Sequence, residues 1–171
     1  MKQIKVGFVG SQGSGKTTKA YELATSLKKQ RLDVYVLSEV ARSCPFPINE
    51  DTDIQSQLWI LGKTITREQS SKGHVLIHDR TLLDALAYSM YVNREFFEPL
   101  KAFIKNYMST YDYIVYCRPN DSYLIDDGLR SISKKFRDEI DDIMTSLLDE
   151  LDIDTIDYED VETCITFDLT D

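Results

Sequence analysis

Eight consecutive residues, Gly10-Ser11-Gln12-Gly13-Ser14-Gly15-Lys16-Thr17, constrain the fold of this chain more than any other feature. They have the form G-x-x-x-x-G-K-[ST], the Walker A or P-loop pattern, which needs a β-strand before it and an α-helix after it. Both are written into the flanks: the apolar run 4–9 precedes the motif, and Ala20, Leu23, Ala24 and Leu27 recur at helical spacing behind it. The residue types suit phosphate. Glycines at 10, 13 and 15 let backbone N–H groups close on phosphate oxygens without obstruction by a Cβ. A helix that begins near Gly15 aims the positive end of its dipole at the same point. In such loops the lysine, here Lys16, reaches the β- and γ-phosphates, and the hydroxyl of Thr17 ligates magnesium. Thr18 enters the helix as the last residue counted with the nucleotide-binding segment. The motif therefore predicts ATP and Mg2+ as the bound cofactors.

The rest of the chain repeats the strand–helix rhythm. Short apolar segments at 4–9, 33–37, 75–78, 113–116 and 153–156 read as five strands. Between them lie helical series: Ile54, Leu58, Leu61 and Ile65; Leu83, Leu86, Ala87 and Met90; Phe96, Leu100, Phe103, Ile104 and Tyr107; and Ile132, Phe136, Ile140, Ile143, Leu147 and Leu151. This alternation predicts an α/β fold, a parallel sheet with helices on both faces, in three layers. Its 171 residues suit one domain, read as residues 1–157, with 158–171 as an acidic C-terminal tail or edge strand. No apolar run approaches the roughly 20 residues of a membrane span. The chain enters its first strand at once, without the pattern of a secretory signal peptide. Cys44, Cys117 and Cys164 are scattered and odd in number, which fits a reducing, cytoplasmic setting better than a disulfide framework.

Charge is uneven. The net value is −9, yet residues 138–171 hold fourteen Asp or Glu and no Lys or Arg, so the remainder carries a net positive charge. The front of the chain can receive an anionic ligand, while the acidic end reads as a solvated face or a partner-binding surface. Long nucleic acid gains affinity through basic patches, and this balance does not favour it without excluding a local groove.

In parallel sheets ligands bind at the carboxyl ends of the strands, so each strand end is informative. The third ends in His78-Asp79-Arg80, the Walker B pattern: Asp79 can hold the magnesium opposite Thr17, or cap the next helix instead. Arg80 can grip an acceptor or the transferring phosphate, or serve a structural salt bridge. The second strand ends in Ser38-Glu39-Val40-Ala41-Arg42. Glu39 is a candidate catalytic base for an attacking hydroxyl, or a carboxylate that only orients the substrate. Arg42 is a candidate for an anionic acceptor group, against an ordinary Glu–Arg surface pair. Trp59 reads as core or as pocket lining. Asp126-Asp127-Gly128-Leu129-Arg130 follows a loop that contains Pro119. Arg130, with Arg118 and Arg137 nearby, can neutralise charge on a transferring phosphoryl group from a closing lid, or face solvent.

With these residues in place the chain resembles P-loop kinases of the nucleoside/nucleotide kinase type. More narrowly it resembles the AAA-domain-like ATPase/kinase family that includes the ribosylnicotinamide kinase domain of the bacterial NAD regulator. The resemblance runs through residues 10–17, Glu39 with Arg42, Asp79-Arg80 with Asp84, and Asp127-Gly128-Leu129-Arg130. It implies a five-stranded parallel sheet of order 2-3-1-4-5 and an ATP-dependent phosphotransferase whose partner is a small nucleoside-like acceptor. It does not name that acceptor, and a hydroxymethylated base in DNA stays open. A nucleotide-driven switch acting on a protein partner is the other alternative. Against it stand the absence of an N-K-x-D guanine motif and a length too short for the helical domain of AAA+ motors.

Overall fold

The computed structural model describes residues 3–125, 128 and 131–170. Four strands form one parallel sheet: β1 (Ile4–Val9), β2 (Val34–Leu37), β3 (Val75–Asp79) and β4 (Tyr113–Tyr116), in the order β2-β3-β1-β4. The register pairs Ile4 with Val75 and Phe8 with Asp79 on one side of β1, and Val6 with Tyr113 on the other. The crossovers are helical, α1 (Lys16–Lys29), α2 (Ile54–Ser70), α3 (Leu82–Phe97) and α4 (Leu100–Met108), and α5 (Lys134–Glu150) and α6 (Tyr158–Thr170) follow β4.

Strand alternation divides the core. Ile4, Val6, Phe8, Val75 and Ile77 pack with Ala20, Leu23 and Leu27 of α1 and with Val161 and Ile165 of α6. The opposite face of the sheet meets α2 to α5, where Leu83, Leu86, Phe97, Ile104, Met144 and Leu147 are buried together. Gly7 lies on that second face. A Cβ there would stand 2.6 Å from Thr81, so the missing side chain lets the start of α3 rest on the sheet. No helix among the described residues is long and apolar enough to cross a membrane.

Three expectations are corrected. The fifth strand at 153–156 is irregular chain that makes one backbone bond to the sheet, Ile156 N–H to Ile114 O at 2.8 Å, too few for a ladder. The segment expected as a tail or edge strand is the helix α6: Tyr158, Val161, Ile165 and Leu169 turn toward α1 and β4 at helical spacing. Some of the apolar residues assigned to helix stripes face outward, with Leu58, Phe96, Phe103 and Ile132 all exposed. On α2 the stripe that turns inward is Ser56, Gln57, Ile60, Leu61, Thr64 and Glu68. Its polar members are explained by the site below.

Candidate active site

The loop between β1 and α1 has the backbone its glycines permit. Gly10 takes φ +140, and a Cβ on it would lie 2.4 Å from the carbonyl oxygen of Cys117, held by the end of β4. Gly15 stands in the left-handed region at φ 77 and opens α1, whose first residue is Lys16. The Lys16 ammonium is buried and donates to Ser11 O at 2.5 Å and to Ser14 Oγ at 2.9 Å. Burial, and then the neighbouring Arg80 charge, bring its pKa down to about 8 against the pull of Asp84, Asp79 and Glu39. Thr17 donates from Oγ1 to Asp79 Oδ2 at 2.7 Å, so the two expected magnesium ligands meet across the sheet edge. Asp79 does not cap the next helix. Thr81 does, accepting from Leu83 N, while its own N–H donates to Asp84. A cavity of ≈ 610 Å³ lies over this loop, lined by residues 12–18 with Arg80, Tyr123 and Ile125.

Beside it opens a cleft of ≈ 850 Å³ at the ends of β2 and β3, with Gln12, Glu39, Arg42, Gln57, His78 and Arg80 in its lining. Arg80 leaves the strand with φ 85, a strained value for a residue with a side chain. Its N–H donates to Phe8 O at 3.1 Å, which ties the turn to β1. Its guanidinium pairs with Glu39 Oε1 at 2.7 Å, approaches Asp84 Oδ1 at 3.8 Å and lies 5.3 Å from the centre of the Tyr88 ring. Burial opposes this charge, but Glu39, Tyr88, Asp84 and Asp79 keep the proton on well above the ordinary arginine value. The other Glu39 oxygen meets Arg42 Nε at 3.2 Å. Gln12 and Arg80 line both spaces, so the loop cavity and the cleft are contiguous at these two side chains.

Four residues of this arrangement, Asp84, Tyr88, Gln57 and His78, went without a role in the sequence reading. Asp84 accepts from Gly10 N at 3.1 Å and from Thr81 N at 2.8 Å and so fixes the phosphate loop to α3. Burial raises its pKa against the cations Arg80 and Lys16. A Thr-x-x-Asp capping box was the available signal. Tyr88 donates to Gln12 Oε1 at 2.8 Å and braces the loop from α3. Gln12, Gln57 and His78 each keep one buried polar atom without a hydrogen-bond partner among the described residues: Gln12 Nε2, Gln57 Oε1 and His78 Nε2. No apolar periodicity marks such positions.

Other expected residues stand apart. Trp59 is not in the cleft lining but packs on the hydrophobic core, because the helical turn puts Gln57, Ile60 and Thr64 on the cleft side of α2. Arg137 pairs with Asp121 at 2.7 Å and with Asp138 at 2.8 Å, and Arg118 is exposed. Arg130, with Asp126 and Asp127, lies outside the described residues. The oxygen donors of Thr17 and Asp79 fit Mg2+. Among the described residues no three His, Cys, Asp or Glu side chains gather as a cage. Mg2+ is commonly held by one or two protein oxygens, with water and substrate phosphates completing its shell.

The family described as an AAA domain matches residues 5–163. Among curated proteins none matches the chain significantly. Solved structures share the fold. A deoxyadenosine kinase from M. mycoides, with its products dCMP and a flexible dCDP bound, is 18% identical with a TM-score of 0.62, covering 98% of this chain and 97% of that one. The NadR protein in complex with NR is 23% identical with a TM-score of 0.67, over 86% of this chain and 43% of its own length. The YorR protein from Bacillus subtilis, in complex with phosphorylated GDP, is 17% identical with a TM-score of 0.55, over 97% and 95%.

Proposed function

The chain belongs to the AAA-domain family, and on that premise we propose that it is an ATP-dependent kinase acting on a nucleoside or nucleoside-like acceptor. The carrying observation is the contiguity of the two spaces through Gln12 and Arg80: a phosphate loop for the donor on one side, a cleft lined by Glu39, Arg42, Gln57 and His78 on the other. The nucleoside kinases among proteins of similar fold support the choice of acceptor.

In this reading residues 10–18 cradle the triphosphate of ATP, with Lys16 against its terminal phosphates. Thr17 and Asp79 hold Mg2+, which when bound neutralises charge on the phosphates. Glu39, Arg42 and Gln57 receive the acceptor. Its hydroxyl oxygen attacks the γ-phosphorus as the bond to the β–γ bridging oxygen breaks, and the hydroxyl proton passes to Glu39. Arg80 turns from Glu39 toward the phosphoryl oxygens as their charge builds, which also frees the carboxylate for the proton. Arg130 is assigned a second cationic contact to the same group. Labelled ATP incubated with the protein and a panel of nucleosides, nucleotides and hydroxymethylated DNA tests the proposal. The expected result is label on a nucleoside. Hydrolysis without transfer to any member of the panel would refute it.

A further inference from the structure

Behind the cleft lies a buried polar chain that the proposed transfer does not use. Lys5 Nζ donates to Glu68 Oε1 at 2.9 Å, Tyr111 Oη lies 2.8 Å from Glu68 Oε2, and His78 Nδ1 lies 3.2 Å from Tyr111 Oη. Glu68 and His78 are each nearly inaccessible to solvent, with side chains 1% exposed. Strand alternation separates this chain from the magnesium ligands: Asp79 faces α1, and its neighbour His78 faces α2.

The direction of every bond follows from the partners. The Lys5 ammonium can only donate. Glu68 Oε2 therefore takes its hydrogen bond from the one proton of Tyr111, which burial and the adjacent Glu68 charge hold on the phenol well above its ordinary pKa. Having donated, the Tyr111 oxygen is left as an acceptor, and the group facing it is His78 Nδ1. That nitrogen must carry the ring proton. The imidazole is sealed from solvent, with 1% of its side chain exposed, which disfavours a second ring proton, and the neutral ring has one N–H. Nε2 is then a bare lone pair, without a partner among the described residues, on a ring that lines the cleft. A second bare acceptor lies in the same wall. Gln57 spends its amide N–H on Thr52 Oγ1 at 2.6 Å and leaves Oε1 unpaired.

We propose that His78 Nε2, locked as an acceptor by Tyr111 and Glu68, selects an acceptor substrate whose base presents an amino group to this wall. The inference rests on the proposal that the cleft holds the nucleoside. An oxo group at the same position would set oxygen against Nε2 and leave both acceptors buried and unpaired, an outcome a polar site rejects strongly.

Cytidine against uridine and adenosine against inosine, each also in its 2′-deoxy form, are matched amino and oxo pairs. Binding is read by calorimetry, independently of turnover. The wild-type protein is expected to bind the amino member of at least one pair about 10-fold or more tighter. In Tyr111→Phe, Glu68 Oε2, 3.6 Å from His78 Nδ1, still holds the ring proton on Nδ1, so the preference is expected to persist. In His78→Phe, which keeps a ring without the acceptor, it disappears. Equal affinities, an oxo preference in both pairs, binding of none of these nucleosides, or a preference unmoved in folded His78→Phe would each overturn the inference. If His78→Phe does not fold, the wild-type preference decides alone. Transfer of phosphate from ATP to the bound nucleoside is scored separately: an amino preference without transfer refutes the kinase reading and leaves the role of His78 standing.

Discussion

Replacing Lys16 by methionine is expected to stabilise the nucleotide-free fold at neutral pH while abolishing its use of nucleotide. The Lys16 pKa falls from 10.5 to about 8 on folding, because the ammonium is buried beside Arg80. A shift of that size corresponds to about 3 kcal/mol of unfavourable burial whenever the lysine is charged. Between the two values the unfolded chain binds more protons than the folded one. Wild-type stability therefore climbs as pH rises from about 8 to about 10.5 and is lowest below 8. Methionine removes this dependence. It also loses the bonds to Ser11 O and Ser14 Oγ, but Ser14 Oγ itself donates to Ser11 O at 2.9 Å, so neither oxygen is stranded. With about 1–2 kcal/mol assigned to those lost bonds, Lys16→Met is expected to be about 1–2 kcal/mol more stable than wild type at pH 7. The advantage should shrink by about 3 kcal/mol by pH 10.5. Urea unfolding of both proteins across this range measures the difference, in which the titration of other groups cancels. Saturating nucleotide should reverse the order at pH 7, since only the wild type gains binding free energy. A stability difference that does not change with pH would refute the reasoning.

Glu39→Gln is expected to leave ATP affinity within about two-fold by calorimetry and to lower kcat by about 100-fold or more; unchanged turnover would remove Glu39 as the base. Gly10→Ala must force φ +140 and a Cβ 2.4 Å from the Cys117 carbonyl oxygen. It is expected to cost about 3 kcal/mol in chemical denaturation. Gly128→Ala, with φ +75 and no contact within 4 Å of the added Cβ among the described residues, serves as the comparison at about 1 kcal/mol. Ile165→Ala, at a position with 0% exposure, should cost about 2–5 kcal/mol in the same assay if α6 belongs to the core.

The loop side of the proposed site was legible in the sequence because its pattern is local. Eight contiguous residues make the loop, and one carboxylate at a strand end meets Thr17. The apolar runs of β1 to β4 were equally direct, most plainly β1 and β3, whose burial on both faces leaves a near-continuous hydrophobic signature. The C-terminal helix was missed because its acidic composition and the alternation over 164–169 masked Tyr158, Val161, Ile165 and Leu169, whose spacing is helical. The acceptor side was harder for a different reason. Gln57, Thr64, Glu68 and His78 turn polar side chains inward, so a search for apolar stripes assigned Leu58 to the core instead. Their partners, Lys5 and Tyr111, come from distant parts of the chain and meet only through the sheet order.

Arg80 belongs to both cavities at once, and one guanidinium cannot be in two orientations. If the proposed donor and acceptor both engage it, the two ligands are thermodynamically linked: one that draws Arg80 from Glu39 changes the affinity of the other, and the second must alter the first by the same factor. Order of addition then cannot change the final complex, only the route to it. A donor already in place prepares the acceptor cleft to the degree that an acceptor in place prepares the loop.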